Sequence, residues 1–140
     1  LYLCGLSAWG STQPQLGGLY RIRKVDQPLT IPVGIKATTK GIELNFTDKL
    51  DAKSVTDVAH YSVKTWDLLR SRKYGSKHYN EQTLAVTNAT LGKDKKSIKL
   101  TIPNIKPTWV MEIQYQLKDE RGKSLEGLVQ NTVHQLGKIE

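Results

Sequence analysis

The chain is short of the residues on which chemistry is most often built. Its 140 residues include one cysteine, Cys4. That excludes an intrachain disulfide, a cysteine-based zinc cluster and a C-x-x-C-H haem attachment within these residues. No apolar run approaches the ~18 residues of a membrane-crossing helix. The longest, Leu1 to Leu6, is already interrupted by Gly5. There is no Gly-x-Ser-x-Gly elbow, Cys4 has no neighbouring base, and no glycine-rich loop leads into a helix. Nucleophilic catalysis and phosphate cradling by those routes are therefore unsupported. Acidic residues number only 13 and sit mostly in turns, so a carboxylate pair for glycoside cleavage has little to draw on. No enzyme is expected, with no catalytic residue and no cofactor.

What is present is basic charge and alternation. Lys and Arg total 21, leaving a formal charge of +8, which favours anionic partners in general. The cations run from Arg21 to Lys138 and often alternate with apolar residues, as a solvated face requires. Trp109, Met111, Ile113, Tyr115 and Leu117 take the odd positions of one stretch, with Glu112, Gln114 and Gln116 between them. Period two over nine residues predicts a strand with one buried face. Ile42 to Phe46 and Ile98 to Ile102 repeat the pattern, and Ile31, Val33, Ile35 and Ala37 form a further set in which Pro32 marks an edge or a strand start. Weaker strands are expected at Tyr61 with Val63, Leu84 with Val86, Val129 with Val133, and Tyr20 with Ile22.

Polar turns separate these runs: Thr39-Lys40-Gly41, Leu91 to Lys96, and Asp119 to Lys123. One short helix is expected over Ala52 to Val55, capped by Asp51. About seven short strands with polar turns predict an all-β, immunoglobulin-like antiparallel β-sandwich rather than alternating βα units. Residues 28–140 form that domain. Residues 1–27 read as a leader or linker: Leu1 to Leu6 as a strand, Ser11 to Gly18 as loop. Leu1 in place of an initiator methionine predicts a portion of a longer protein.

Phe46-Thr47-Asp48-Lys49-Leu50-Asp51-Ala52-Lys53-Ser54-Val55, followed by His60-Tyr61-Ser62-Val63, resembles the early strands of bacterial immunoglobulin-like domains. Leu1 to Leu6 and Gly18 to Arg23 look like the end of a sorbosone-dehydrogenase-like β-propeller and the strand leaving it. Trp66, Tyr74-Gly75-Ser76-x-x-Tyr79 and Asn131 to Leu136 are similar to the same proteins, so the resemblance covers essentially all 140 residues. It implies an accessory module of a large secreted bacterial protein, placed after the propeller and often beside a c-type haem domain. Those neighbouring domains are the implied partners, and a secreted or periplasmic location is implied with them. No functional residue is carried over, and the parent's dehydrogenase activity is not credited to this piece.

The most unusual segment is Trp66 to Asn80, where Trp66, Tyr74, His78 and Tyr79 interleave with Arg70, Arg72, Lys73 and Lys77, and Asp67 is the one acid. If Tyr61 and Val63 point inward, Trp66 falls on the other face unless a bulge resets the register. Aromatic rings beside polar groups suit the C–H faces of sugars, and the cations suit acidic sugars or phosphate. The candidate ligand-binding residues are therefore Trp66, Arg70, Arg72, Tyr74, His78 and Tyr79. The alternative is that Trp66 and Tyr74 pin a long loop to the sandwich. His60, His78 and His134 lack the spacing that presets a metal site, and Asp48 and Asp51 are better placed to cap than to bind Ca²⁺. The function expected is a non-catalytic interaction or spacer module. A carbohydrate-binding module is second, and nucleic-acid binding ranks last.

Overall fold

Inward-facing Ile42, Leu44 and Phe46 fall on one strand, β4 (Gly41–Phe46), and Met111, Ile113, Tyr115 and Leu117 on another, β9 (Thr108–Lys118). The computed structural model describes residues 1–6, 17–24 and 26–138. Its other strands are β1 (Tyr2–Leu6), β2 (Gly17–Arg21), β3 (Pro32–Thr38), β5 (Tyr61–Asp67), β6 (Tyr79–Leu84), β7 (Asn88–Leu91), β8 (Ser97–Thr101) and β10 (Ser124–Val133). Two four-stranded antiparallel sheets form, in the orders β3-β4-β8-β7 and β10-β9-β5-β6. An all-β sandwich results, with Leu44, Val63, Ile98, Ile102, Met111 and Ile113 buried between its layers.

Asp51 caps the one short helix, α1 (Ala52–Thr56), by accepting from the Ser54 N–H at 2.8 Å, as its sequence position requires. The Ser54 hydroxyl in turn accepts from the Lys118 N–H at 3.0 Å, tying α1 to the end of β9. The Thr39-Lys40 turn joins β3 to β4. There Gly41 has φ of +147°, and a Cβ would collide with the Leu100 carbonyl. Only glycine fits that approach.

Several expectations need adjusting. The sandwich has eight strands rather than about seven, because β7 escapes a period-two reading: of its residues Asn88-Ala89-Thr90-Leu91, only Ala89 is buried. Val86 lies just past β6. Gly17 and Gly18 belong to β2 rather than to a loop, while Ser11 to Leu16 lie outside the described residues. Strand β3 is an edge strand, in keeping with Pro32. Ile31, Val33 and Ile35 remain exposed because a bulge between Pro32 and Gly34 and the lack of an outer neighbour leave them uncovered.

Strands β1 and β2 pair only with each other, as a two-stranded sheet separate from the sandwich. Leu1, Tyr2, Leu3, Leu19, Tyr20 and Ile22 are all exposed there, and none joins the core. The chain enters the sandwich where Thr47 clamps residues 29–31. Its hydroxyl donates to the Leu29 carbonyl and accepts from the Ile31 N–H at 3.1 Å. No helix among the described residues is long and apolar enough to cross a membrane.

Candidate functional site

Strand register decides where Trp66 goes. Thr65 pairs with Met111 and Trp66 with Val110, so Trp66 lies on the outer face of the sheet while its neighbours Tyr61 and Val63 face the core. An indole on an outer face would ordinarily be wet, yet Trp66 is only 6% exposed. Its cover is His78, stacked at a ring-centroid distance of 4.1 Å and an interplanar angle of 14°. His78 is itself anchored, with Nδ1 3.0 Å from Glu81 Oε2, and Glu81 Oε1 accepts from Lys64 Nζ at 3.4 Å. The His78 contact first, and the Lys64 ammonium second, hold the Glu81 carboxyl below the usual range. Between Trp66 and His78 the chain folds back as a loop, closed where the Leu69 N–H donates to the Ser76 hydroxyl at 2.9 Å.

The six residues expected to bind ligand are therefore divided. Trp66 and His78 are spent on each other. Tyr74 is fully exposed at the loop tip and, with Tyr79, lines a shallow depression that Trp66 does not reach. Arg70 and Arg72 are exposed and make no ion pair with any described residue. The three-ring stacking platform is not assembled, because strand parity sends Trp66 beneath the loop that carries Tyr74. Of the two rings named in the pinning alternative, Trp66 is buried against His78 and Tyr74 is fully exposed.

The other candidates make local contacts or lie at the surface. Asp48 accepts from the Lys49 N–H and from Arg121 Nη1 at 2.8 Å, and its carboxyl is held low first by the Lys49 N–H and next by Arg121. His60 Nδ1 lies 2.7 Å from the Ser54 carbonyl, and His134 is exposed at the end of β10. No group of three or more His, Cys, Asp or Glu side chains among the described residues could hold a metal ion.

A different set of residues converges at one end of the sandwich. Here β5 ends, β6 begins, residues 102–107 cross from β8 to β9, and β10 finishes. A cleft of about 260 Å³ is lined by Trp66, Asp67, Asn80, Gln82, Asn104 and Lys106, among others. A second, of about 310 Å³, is lined by Trp109, Thr132 and His134. Asp67, Pro107 and Thr108 border both, so the two clefts adjoin and are together termed the groove. No protein-family model, curated protein or solved structure matches the chain.

The groove rests on ordered supports. Asn80 Nδ2 donates to Asp67 Oδ2 at 2.9 Å, and the Thr132 hydroxyl donates to the Trp109 carbonyl at 2.8 Å. Asn80 and Asn104 both take left-handed backbone angles, with φ of 52° and 60°, which asparagine tolerates better than most residues. Sequence reasoning missed Trp109 as a surface residue because its parity is inward. Its place as the second residue of β9, two after Pro107, carries it past the end of the core, where it is 59% exposed.

Proposed function

We propose that this chain is a non-catalytic, immunoglobulin-like interaction module of a larger secreted protein, docking on a neighbouring domain of its parent chain through its N-terminal hairpin. What carries the reading is the β1–β2 ribbon. Its cross-strand pairs set Leu3 beside Tyr20 on one face and Cys4 beside Leu19 on the other, so both faces carry apolar groups. A two-stranded ribbon is marginal in water by itself, and its free edges offer unpaired backbone groups to a third strand. Exposed Leu29, Ile31 and Val33 on and before edge strand β3 extend the same kind of surface.

Two further points support the reading. The sheet orders β3-β4-β8-β7 and β10-β9-β5-β6 agree with the A-B-E-D and G-F-C-C′ arrangement of immunoglobulin-like sandwiches. The sequence resemblance to modules that follow a sorbosone-dehydrogenase-like propeller supplies the kind of neighbour, and with it the secreted setting. The module's task is then mechanical, holding adjacent domains in register.

The test is the behaviour of the hairpin in the chain alone. An apolar ribbon deprived of its cover should bind 1-anilinonaphthalene-8-sulfonate and drive reversible self-association. The double substitution Leu3→Lys and Leu19→Lys should abolish both without moving the thermal transition. A chain that stays monomeric, ignores the dye and protects its β1–β2 amides as well as those of β9 would overturn the proposal.

A further inference from the structure

The groove at the end of the sandwich has a composition that selects one ligand chemistry. The first section's polar side chains are two asparagines, one glutamine, two threonines, one aspartate and one lysine, with Trp66 and Leu84 beside them. Carboxamides donate and accept together, as a ligand made of hydroxyl groups requires. Asp67 and Lys106 offset each other, so the groove itself has no strong charge despite a chain charge of +8. The free cations Arg70, Arg72, Lys73 and Lys77 belong to the neighbouring loop and do not line it. A polyanion would therefore find little to hold it here, since phosphate binding rests on several Lys and Arg contacts.

Unspent hydrogen-bonding capacity points the same way. Asn80 orients Asp67 by donating to its Oδ2, leaving the second carboxylate oxygen to accept from a ligand. Gln82, Asn104 and Lys106 make no side-chain hydrogen bond with any described residue. Beyond Pro107 and Thr108 the groove continues to Trp109, whose exposed indole offers a flat apolar face. A pyranose ring presents apolar C–H groups on its faces and hydroxyls on its rim, and an aromatic face beside amide side chains matches both. Each section is small, at about 260 and 310 Å³, near the lower end of the ~300–1,000 Å³ usual for ligand sites. Both are open to solvent and share a border at Asp67, Pro107 and Thr108, so neighbouring sugars of one chain can occupy them side by side.

We propose that the groove running from Trp109 past Asp67 to Asn80, Gln82, Asn104 and Lys106 binds a segment of an uncharged polysaccharide, with Trp109 stacking on a sugar ring. The site borders the Trp66–Tyr79 loop at Trp66 and Asp67, but its stacking platform is Trp109, and Tyr74, His78 and Tyr79 do not line it.

Native affinity electrophoresis tests this with the whole chain. Gels would contain hydroxyethyl cellulose, mixed-linkage β-glucan, arabinoxylan or galactomannan, with polygalacturonate and single-stranded DNA in parallel. The expected result is retardation by at least one neutral polymer that Trp109→Ala abolishes and Tyr74→Ala leaves intact. Asn104→Ala and Gln82→Ala should each weaken binding about 2- to 12-fold, the worth of one hydrogen bond. All four residues are exposed, and a single cooperative thermal transition verifies that each variant folds, at a slightly lower temperature for Asn104→Ala because its backbone is left-handed. Absence of retardation by every neutral polymer overturns the proposal. So does retardation that survives Trp109→Ala, or that is confined to polygalacturonate or DNA.

Discussion

Ile113 lies at the middle of β9 with Val63 paired to it on one side and Val129 on the other. It has no exposed surface, so Ile113→Ala removes buried methyl and methylene groups and leaves a hole between rigid sheets. The expected loss is about 2–5 kcal/mol, seen as a lower denaturant midpoint with an unchanged slope. An unchanged midpoint would mean that this face does not carry the core. The residue scale is also where parity reads best and where it stops. Alternation along β9 assigns Met111, Ile113, Tyr115 and Leu117 inward, and all four are buried. The same count places Trp109 inward and Trp66 outward, and both assignments of face hold, yet their exposures are the reverse of what face alone implies. Face is a property of one strand and can be counted in sequence. Cover depends on what lies opposite: for Trp66 it is a loop residue twelve positions later, and for Trp109 it is the point where the facing layer ends.

At the scale of elements, the end of the sandwich opposite the groove is held by charged turns. The β9–β10 turn buries Asp119 to 1% side-chain exposure. Burial alone would push that carboxyl up. The N–H groups of Lys123 and Arg121, each 2.9 Å away, and the Arg121 guanidinium reverse the effect and hold it below the usual range. Arg121 also reaches Asp48, while Lys95 Nζ donates to Glu120 at 2.9 Å, and both acids are likewise held low. Folded-state values below the unfolded ones mean that these groups stabilise the fold fully above the ordinary carboxylate range near pH 4. That stabilisation is lost as pH falls through the lowered folded values. Urea midpoints measured from pH 6 to pH 2 should therefore decline below about pH 4, and Asp119→Asn should reduce the decline while lowering the midpoint at pH 7. An identical decline in that variant would place the acid sensitivity elsewhere. In sequence these turns are visible as Gly, Asp and Lys clusters, and so is the Asp51 cap. The groove is not visible, because Asp67, Asn80, Asn104 and Trp109 come from four different elements or connections. Only the strand order brings them to one end.

At the scale of the molecule, a two-stranded ribbon and a two-sheet sandwich share one chain. The sandwich joins eight strands through a continuous apolar interior, with Phe46 and Tyr115 meeting edge to face at 5.6 Å across it. Such an interior unfolds as a unit. The β1–β2 ribbon adds nothing to that interior, since all its described apolar side chains lie outside the core, and its ladder ends where Ile22 N–H donates to the Leu1 carbonyl at 2.8 Å. Thr47 grips the chain only from Leu29 onward. Removing residues 1–27 should therefore leave the thermal transition of the sandwich single and its stability within about 0.5 kcal/mol of the full chain, the range of surface changes remote from the core. Amide exchange in the full chain should agree, with β1 and β2 exchanging by local opening while β5, β8 and β9 exchange only on global unfolding. If instead the shortened chain lost several kcal/mol, or melted in two steps, the ribbon would have to be a packed part of the sandwich, and its apolar faces would no longer be available to a neighbouring domain.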